Sequence, residues 1–156
     1  MKNYKIILIG SDHAGFDLKQ KLKAYLKDKG LTAKDVGTYS KERSDYPLIA
    51  YELARLLSLK KYQRGILICK SGIGNSIVAN RLPGVRAALC YNVTAARLCR
   101  QHNDSNILVL GSAFVNKGLA KRIAGVWLNT DFQGGRHKRR LNQIKNIEER
   151  IRCEAR

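Results

Sequence analysis

No apolar run in this chain approaches the roughly 20 residues that a bilayer-spanning helix needs. Its opening Met-Lys-Asn-Tyr-Lys leads straight into a strand-like segment instead of a signal peptide. A soluble, cytoplasmic protein with no membrane partner is expected. The four cysteines, Cys69, Cys90, Cys99 and Cys153, include no C-x-x-C pair. That spacing suggests neither a zinc site nor a disulfide framework, and free thiols in a reducing compartment fit best. The three histidines, His13, His102 and His137, form no H-x-x-x-H motif, and no carboxylate pair has a convincing spacing, so no metal is expected. Acidic residues are scarce as well, 12 against 30 Lys and Arg, which leaves a net charge of +18. Such a field attracts polyanions. No aromatic platform interleaves with the basic residues, however, so a solvated basic surface is expected and nucleic acid is an unlikely partner.

Internal repeats, low-complexity segments and linkers are also missing, and 156 residues fit one domain spanning 1–156. A chain of that size buries roughly two-thirds of the surface its unfolded form exposes. The apolar runs Tyr4–Ile9, Gly65–Cys69, Val85–Cys90 and Asn106–Leu110, with a weaker Thr32–Val36, read as buried strands. Helical patterns alternate with them at Phe16–Lys29, Pro47–Leu59, Ile73–Leu82, Val93–Gln101 and Lys117–Leu128. A charged helix follows from Leu141, in the segment 141–156. Strict alternation predicts a doubly wound, Rossmann-like α/β domain, with a five-stranded parallel sheet flanked by helices, because parallel strands need crossover connections.

In such sheets ligands bind outside the carboxyl ends of the strands. Asp12 and His13 follow the first strand and Cys69 to Gly74 follow the third, so both groups should rim one crevice. The stretch Ser71-Gly72-Ile73-Gly74-Asn75-Ser76 before a helix has the makings of an anion nest, with amides and the positive end of a helix dipole facing a ligand. A ligand-free strand-to-helix turn is the alternative. A dinucleotide fingerprint is disfavoured, because the frame ends in Ile77 and follows the third strand. The glycines of Gly10-Ser11-Asp12-His13-Ala14-Gly15 have P-loop spacing without the following Lys-Ser/Thr. Cys69 alone would be a small buried hydrophobe. Beside Lys70 and a helix N-terminus it is expected to have a lowered pKa and a functional thiolate.

His102 and Asn103 follow the fourth helix and precede the fifth strand, which places them at the amino edge of the sheet, far from Cys69 in the same subunit. They are either structural or complete a neighbour's site. From Arg136 to Arg156 there are eight Lys and Arg against three Glu, a net +5. If Arg140 belongs to the start of the last helix, Arg136 and Arg140 share one face and can clamp a phosphate.

Together these residues resemble the ribose-5-phosphate isomerase B family, which includes the galactose-6-phosphate isomerase subunits. The resemblance runs through Gly10 to Phe16, Ser44-Asp45-Tyr46-Pro47, Gly65 to Cys69, Ala79-Asn80, Gly84 to Ala88, Arg100 to Asp104 and Gly134 to His137. It implies cofactor-free interconversion of an aldose and a ketose phosphate through an enediolate. Ribose 5-phosphate is the leading substrate, and a six-carbon phosphosugar or a non-catalytic phosphosugar-binding subunit is the alternative. By that resemblance Cys69 is the base, Ser71 with the amides of Gly72, Ile73 and Gly74 holds the oxyanion, and His102 assists ring opening. Asp12 and Tyr46 contact the sugar, Asn103 binds near the reacting oxygens, and His13, Arg136 and Arg140 bind phosphate. Composite sites in a homodimer or tetramer are implied too. The family usually has glycine where Lys70 stands and arginine where Ala113 stands. Lys70 is therefore expected to replace the missing cation in substrate binding or to alter sugar preference.

Overall fold

The computed structural model describes residues 4–155; residues 1–3 and 156 of the expected 1–156 domain lie outside the described residues. Five strands, β1 (Ile6–Ser11), β2 (Thr32–Asp35), β3 (Gly65–Cys69), β4 (Ala87–Leu89) and β5 (Ile107–Gly111), form one sheet. The helices are α1 (Phe16–Asp28), α2 (Tyr46–Ser58), α3 (Ile73–Ala79), α4 (Val93–Asn103), α5 (Lys117–Asn129) and α6 (Arg136–Glu154). All strand pairs are parallel, in the order β2-β1-β3-β5-β4. Among the described residues no helix is long and apolar enough to cross a membrane.

The strands read as continuous apolar runs because both faces of the sheet are covered. Side chains alternate between those faces. Ile7, Ile9, Ile66, Ile68, Leu108 and Leu110 pack with Leu22 of α1, Ala96 of α4 and Trp127 of α5. Leu8, Leu67, Ile107 and Val109 face the other way, onto Leu53 and Leu57 of α2 and Ala79 of α3. Each fully buried side chain of this size contributes about 1.5–3 kcal/mol.

Several boundaries differ from the sequence expectation, each for a local reason. β1 runs later than Tyr4–Ile9, because ladder pairing continues to Ser11 opposite Ile68. β4 is shorter than Val85–Cys90: the Val85 amide donates to Leu82 O at 3.1 Å and the Arg86 amide to Asn106 Oδ1 at 2.8 Å, which keeps both in the preceding turn. α3 ends at Ala79 instead of Leu82, where the Asn80 side-chain amide donates to Ser76 O and Ala87 O, each at 2.9 Å. α6 begins at Arg136 instead of Leu141, directly after Gly134 and Gly135, whose φ values of 68° and 51° suit glycine.

The first crossover carries the chain from β1 to β2 and the next brings it back to β3 on the other side of β1. The winding therefore reverses between β1 and β3, and a crevice opens there at their carboxyl ends. A buried ion pair secures one wall. Lys19 of α1, with no exposed surface, places Nζ 2.7 Å from Asp35 Oδ1 and also donates to the Thr38 carbonyl. Lys23 Nζ takes Oδ2 at 2.7 Å. These contacts anchor the start of the 36–45 loop, whose far end holds Ser44 against His13.

Candidate active site

Cys69 is the last residue of β3 and only 4% exposed. Its Sγ accepts the Gly72 amide at 3.1 Å. That bond needs the chain to double back at once, which Gly72 permits at φ 83°; a Cβ there would collide with Leu89. The Ser71 Oγ accepts the Ile73 amide at 3.2 Å, and the Tyr91 hydroxyl donates to Ser71 O at 2.9 Å. Two amides of the expected anion cradle thus serve side chains of their own loop. Burial raises the Cys69 pKa, opposed by backbone hydrogen bonds from Gly72, Asn75 and Ser71 and reinforced by the Asp12 carboxylate; the net shift is upward. The expected lowering by Lys70 and the helix terminus is overturned, because desolvation of a thiolate in this strand-end pocket outweighs them. Lys70 itself is exposed beside the buried thiol.

Asp12, buried after β1, accepts the Gly15 amide through Oδ1 at 3.0 Å and caps the short turn that carries His13. The His13 ring is fixed through Nδ1, 3.0 Å from Ser44 O and 3.2 Å from Ser44 N. Tyr46 opens α2 and lays its ring against Gly74, where any side chain would overlap it. The structure thus gathers Asp12, His13, Tyr46, Cys69, Ser71, Gly72, Ile73 and Gly74 at one edge of the sheet. Two residues missed from the sequence join them. Ser11 Oγ and Asn75 Nδ2 are buried without a hydrogen-bond partner, and both residues are 1% exposed. Buried polar atoms are ordinarily paired. The sequence signal was a polar residue on an inward position, at the end of an apolar strand and in the first turn of a helix.

The remaining residues lie at the opposite edge. His102 and Asn103 belong to the last turn of α4 instead of the loop after it. Arg86 Nε donates to the carbonyls of Asn103 and Asp104 at 3.0 Å, while Arg100 Nη1 takes Asp104 Oδ1 at 2.6 Å. The start of α6 docks here: His102 stacks on His137 with ring centroids 4.2 Å apart, and the Gln133 amide donates to Gln101 O at 3.0 Å. Burial, then His102, Arg136 and Arg140, push the His137 imidazole below its ordinary pKa. Arg136 and Arg140 are exposed, one helical turn apart, at a positive dipole end that disfavours cations and welcomes an anion.

A wide cleft of about 880 Å³ lies between the end of α2, the turn before β4 and α6. Cys69, Ser71 and Asp12 are not among its lining residues. Among the described residues no group of three or more His, Cys, Asp or Glu is placed to hold a metal ion.

The ribose/galactose isomerase family model matches residues 7–144. The chain belongs to this family. It is 44% identical over 146 residues to ribose-5-phosphate isomerase B of Escherichia coli (strain K12), covering 94% of this chain and 98% of that protein. The fold superposes with a TM-score of 0.91 on ribose-5-phosphate isomerase B of Clostridium thermocellum, 44% identical, over 94% of this chain and 99% of the other. The Mycoplasma genitalium ribose-5-phosphate isomerase B, a structure with bound ribulose-5-phosphate, matches with a TM-score of 0.90 and 36% identity, over 96% of this chain and 99% of that one. The ribose/galactose isomerase match spans both edges of the sheet, the Cys69 loop as well as the His102 turn and the first half of α6. The last turns of α6 from Lys145 run beyond it.

Proposed function

We propose that this sugar-phosphate isomerase interconverts ribose 5-phosphate and ribulose 5-phosphate through an enediolate, in the cytoplasm, with each site completed by a second copy of the chain. The observation that carries the reading is the Cys69 thiol, sealed at the β1–β3 crevice 3.1 Å from the Gly72 amide and close to the Asp12 carboxylate, with the Tyr46 ring against Gly74 of the same loop.

The Cys69 thiolate takes the proton from C2 of the open-chain aldose. The C–H electrons form the C1–C2 double bond and the carbonyl electrons move onto oxygen. The resulting thiol returns the proton to C1, the O2 hydroxyl proton passes to O1, and the enediolate collapses to the ketose. A raised thiol pKa makes the thiolate scarcer and a stronger base. Negative charge builds on the C1 and C2 oxygens, where fixed donors in a dry pocket are worth on the order of 10²–10³ in rate each. Ser71, the Gly74 amide and the unpaired side-chain Nδ2 of Asn75 supply such donors. Asp12 and Tyr46 orient the sugar hydroxyls, and Lys70 adds positive charge at the mouth.

His102 and Asn103 stand at the far edge of their own sheet, so they serve a neighbouring copy: His102 opens the sugar ring and Asn103 meets the reacting oxygens. Arg136 and Arg140 of that copy, with His13, hold the phosphate. Proton transfer of this kind needs no cofactor. The test is an isomerase assay on five- and six-carbon aldose phosphates with Cys69→Ala as control. Turnover of ribose 5-phosphate that falls about 10²–10⁴-fold in Cys69→Ala is expected. A six-carbon preference overturns the substrate, and full activity in Cys69→Ala overturns the base.

A further inference from the structure

Two cysteines outside this machinery meet in the core. Cys90, 1% exposed, follows β4 and donates its amide to Val109 O at 3.0 Å. Cys99, half-buried in α4, places its sulfur 3.8 Å from that of Cys90. A chain of donors ends on the Cys99 sulfur: Trp127 Nε1 donates to Ser105 Oγ at 2.7 Å, and Ser105 Oγ donates to Cys99 Sγ at 3.1 Å. The pair is therefore unequal. The Cys90 hydrogen bond, then Ser105 and Arg100, act against burial and bring the Cys99 thiol down to about 7. The Cys90 thiol is pushed up, first by its bond to Cys99 and then by burial.

We propose that Cys90 and Cys99 are a redox modification site, closing to a reversible disulfide when a hydroperoxide reaches Cys99. The Cys99 thiolate attacks the peroxide, the O–O bond breaks, and the departing oxygen takes a proton and leaves as water or alcohol. The Cys90 sulfur then attacks the sulfenic sulfur of Cys99. The S–O bond breaks and the hydroxyl leaves as water with the Cys90 proton. Two thiols lose two electrons and one peroxide gains them. The sulfurs close from 3.8 Å to about 2.05 Å.

That movement lies between the two half-sites that one chain contributes, its own Cys69 edge and the His102 edge that serves a neighbouring copy. Tyr91, next to Cys90, holds the Ser71 carbonyl at 2.9 Å, and Cys99 lies one turn before His102 on α4. The disulfide draws α4 toward the end of β4 and shifts both, so turnover falls in the oxidised form. This effect rests on the proposed site, whereas the disulfide itself does not.

The experiment oxidises the full chain in a Cys153→Ser background with hydrogen peroxide, alkylates the free thiols, and maps peptides without reduction. A Cys90–Cys99 cross-link that dithiothreitol reverses is expected, with a several-fold loss of turnover that recovers alongside it. Neither the cross-link nor the reversible loss is expected in Cys99→Ser or Cys90→Ala. Full alkylation of Cys90 and Cys99 once the peroxide-treated protein is unfolded in denaturant overturns the proposal. A cross-link with undiminished turnover overturns the coupling. A reversible cross-link in a protein inactive on every sugar phosphate supports the modification site and overturns the isomerase reading instead.

Discussion

Gly74→Ala sets helix propensity against a steric clash, and the structure says which wins. Gly74 is the second residue of α3, where alanine in place of glycine stabilises by roughly 0.5–1 kcal/mol. The added Cβ would stand 2.6 Å from both Cε2 and Oη of Tyr46, far inside van der Waals contact. Overpacking of this kind costs about 1–3 kcal/mol. The substitution is therefore expected to destabilise by about 0.5–2 kcal/mol once the propensity gain is offset. In a Tyr46→Ala background the obstacle is gone and the same change should stabilise by up to about 1 kcal/mol. The sign reversal is read from urea denaturation of the wild type, both single variants and the double variant, as a coupling energy of about 1–3 kcal/mol. Activity follows the same logic, since a displaced Tyr46 raises KM for the sugar phosphate in Gly74→Ala toward that of Tyr46→Ala. Equal stability changes in the two backgrounds would refute the packing of Tyr46 on Gly74.

The raised Cys69 pKa predicts that kcat/KM climbs with pH, by about tenfold per unit at most, because the thiolate fraction grows until pH passes the folded pKa; a profile falling over the same range contradicts Cys69 as base. The same shift makes a buried neutral thiol stabilising below the unfolded thiol pKa, and that contribution is lost as pH rises through the folded value. Asp35→Ala should cost about 3–5 kcal/mol in denaturation, because it strands the fully buried Lys19 ammonium. Burial opposes the Asp35 carboxylate, yet Lys19, Lys23 and the Gly37 amide together hold its pKa low, so wild-type stability should decline as pH falls through the carboxylate range. Mixing Cys69→Ala with His102→Ala after subunit exchange should restore about a quarter of wild-type activity if each site draws on two copies, whereas no recovery by the exchanged mixture argues for sites within one chain.

Part of this was legible in the chain alone. The apolar runs and their helical partners announce the layers, because a strand covered on both faces and a helix covered on one have different periods. The glycines around Ser71 and the reactive residues at strand ends mark the edge where chemistry belongs. The errors cluster where a distant partner intervenes. Val85 and Arg86 look like strand, but the turn at Leu82 and the Asn106 side chain take their amides. Arg136 to Arg140 resemble a loop before a helix, but the stack of His137 on His102 docks them as its first turns.

The sequence by itself determined the α/β layering, the family and the loop that follows Cys69, since each depends on residues near one another in the chain. Tertiary structure alone decided that burial lifts the Cys69 thiol, that Tyr46 lies on Gly74, that Ser11 and Asn75 keep unpaired polar atoms, and that the sulfurs of Cys90 and Cys99 meet. Each of these is set by how completely water is excluded and by which distant side chains share the space, and neither quantity is written in local pattern.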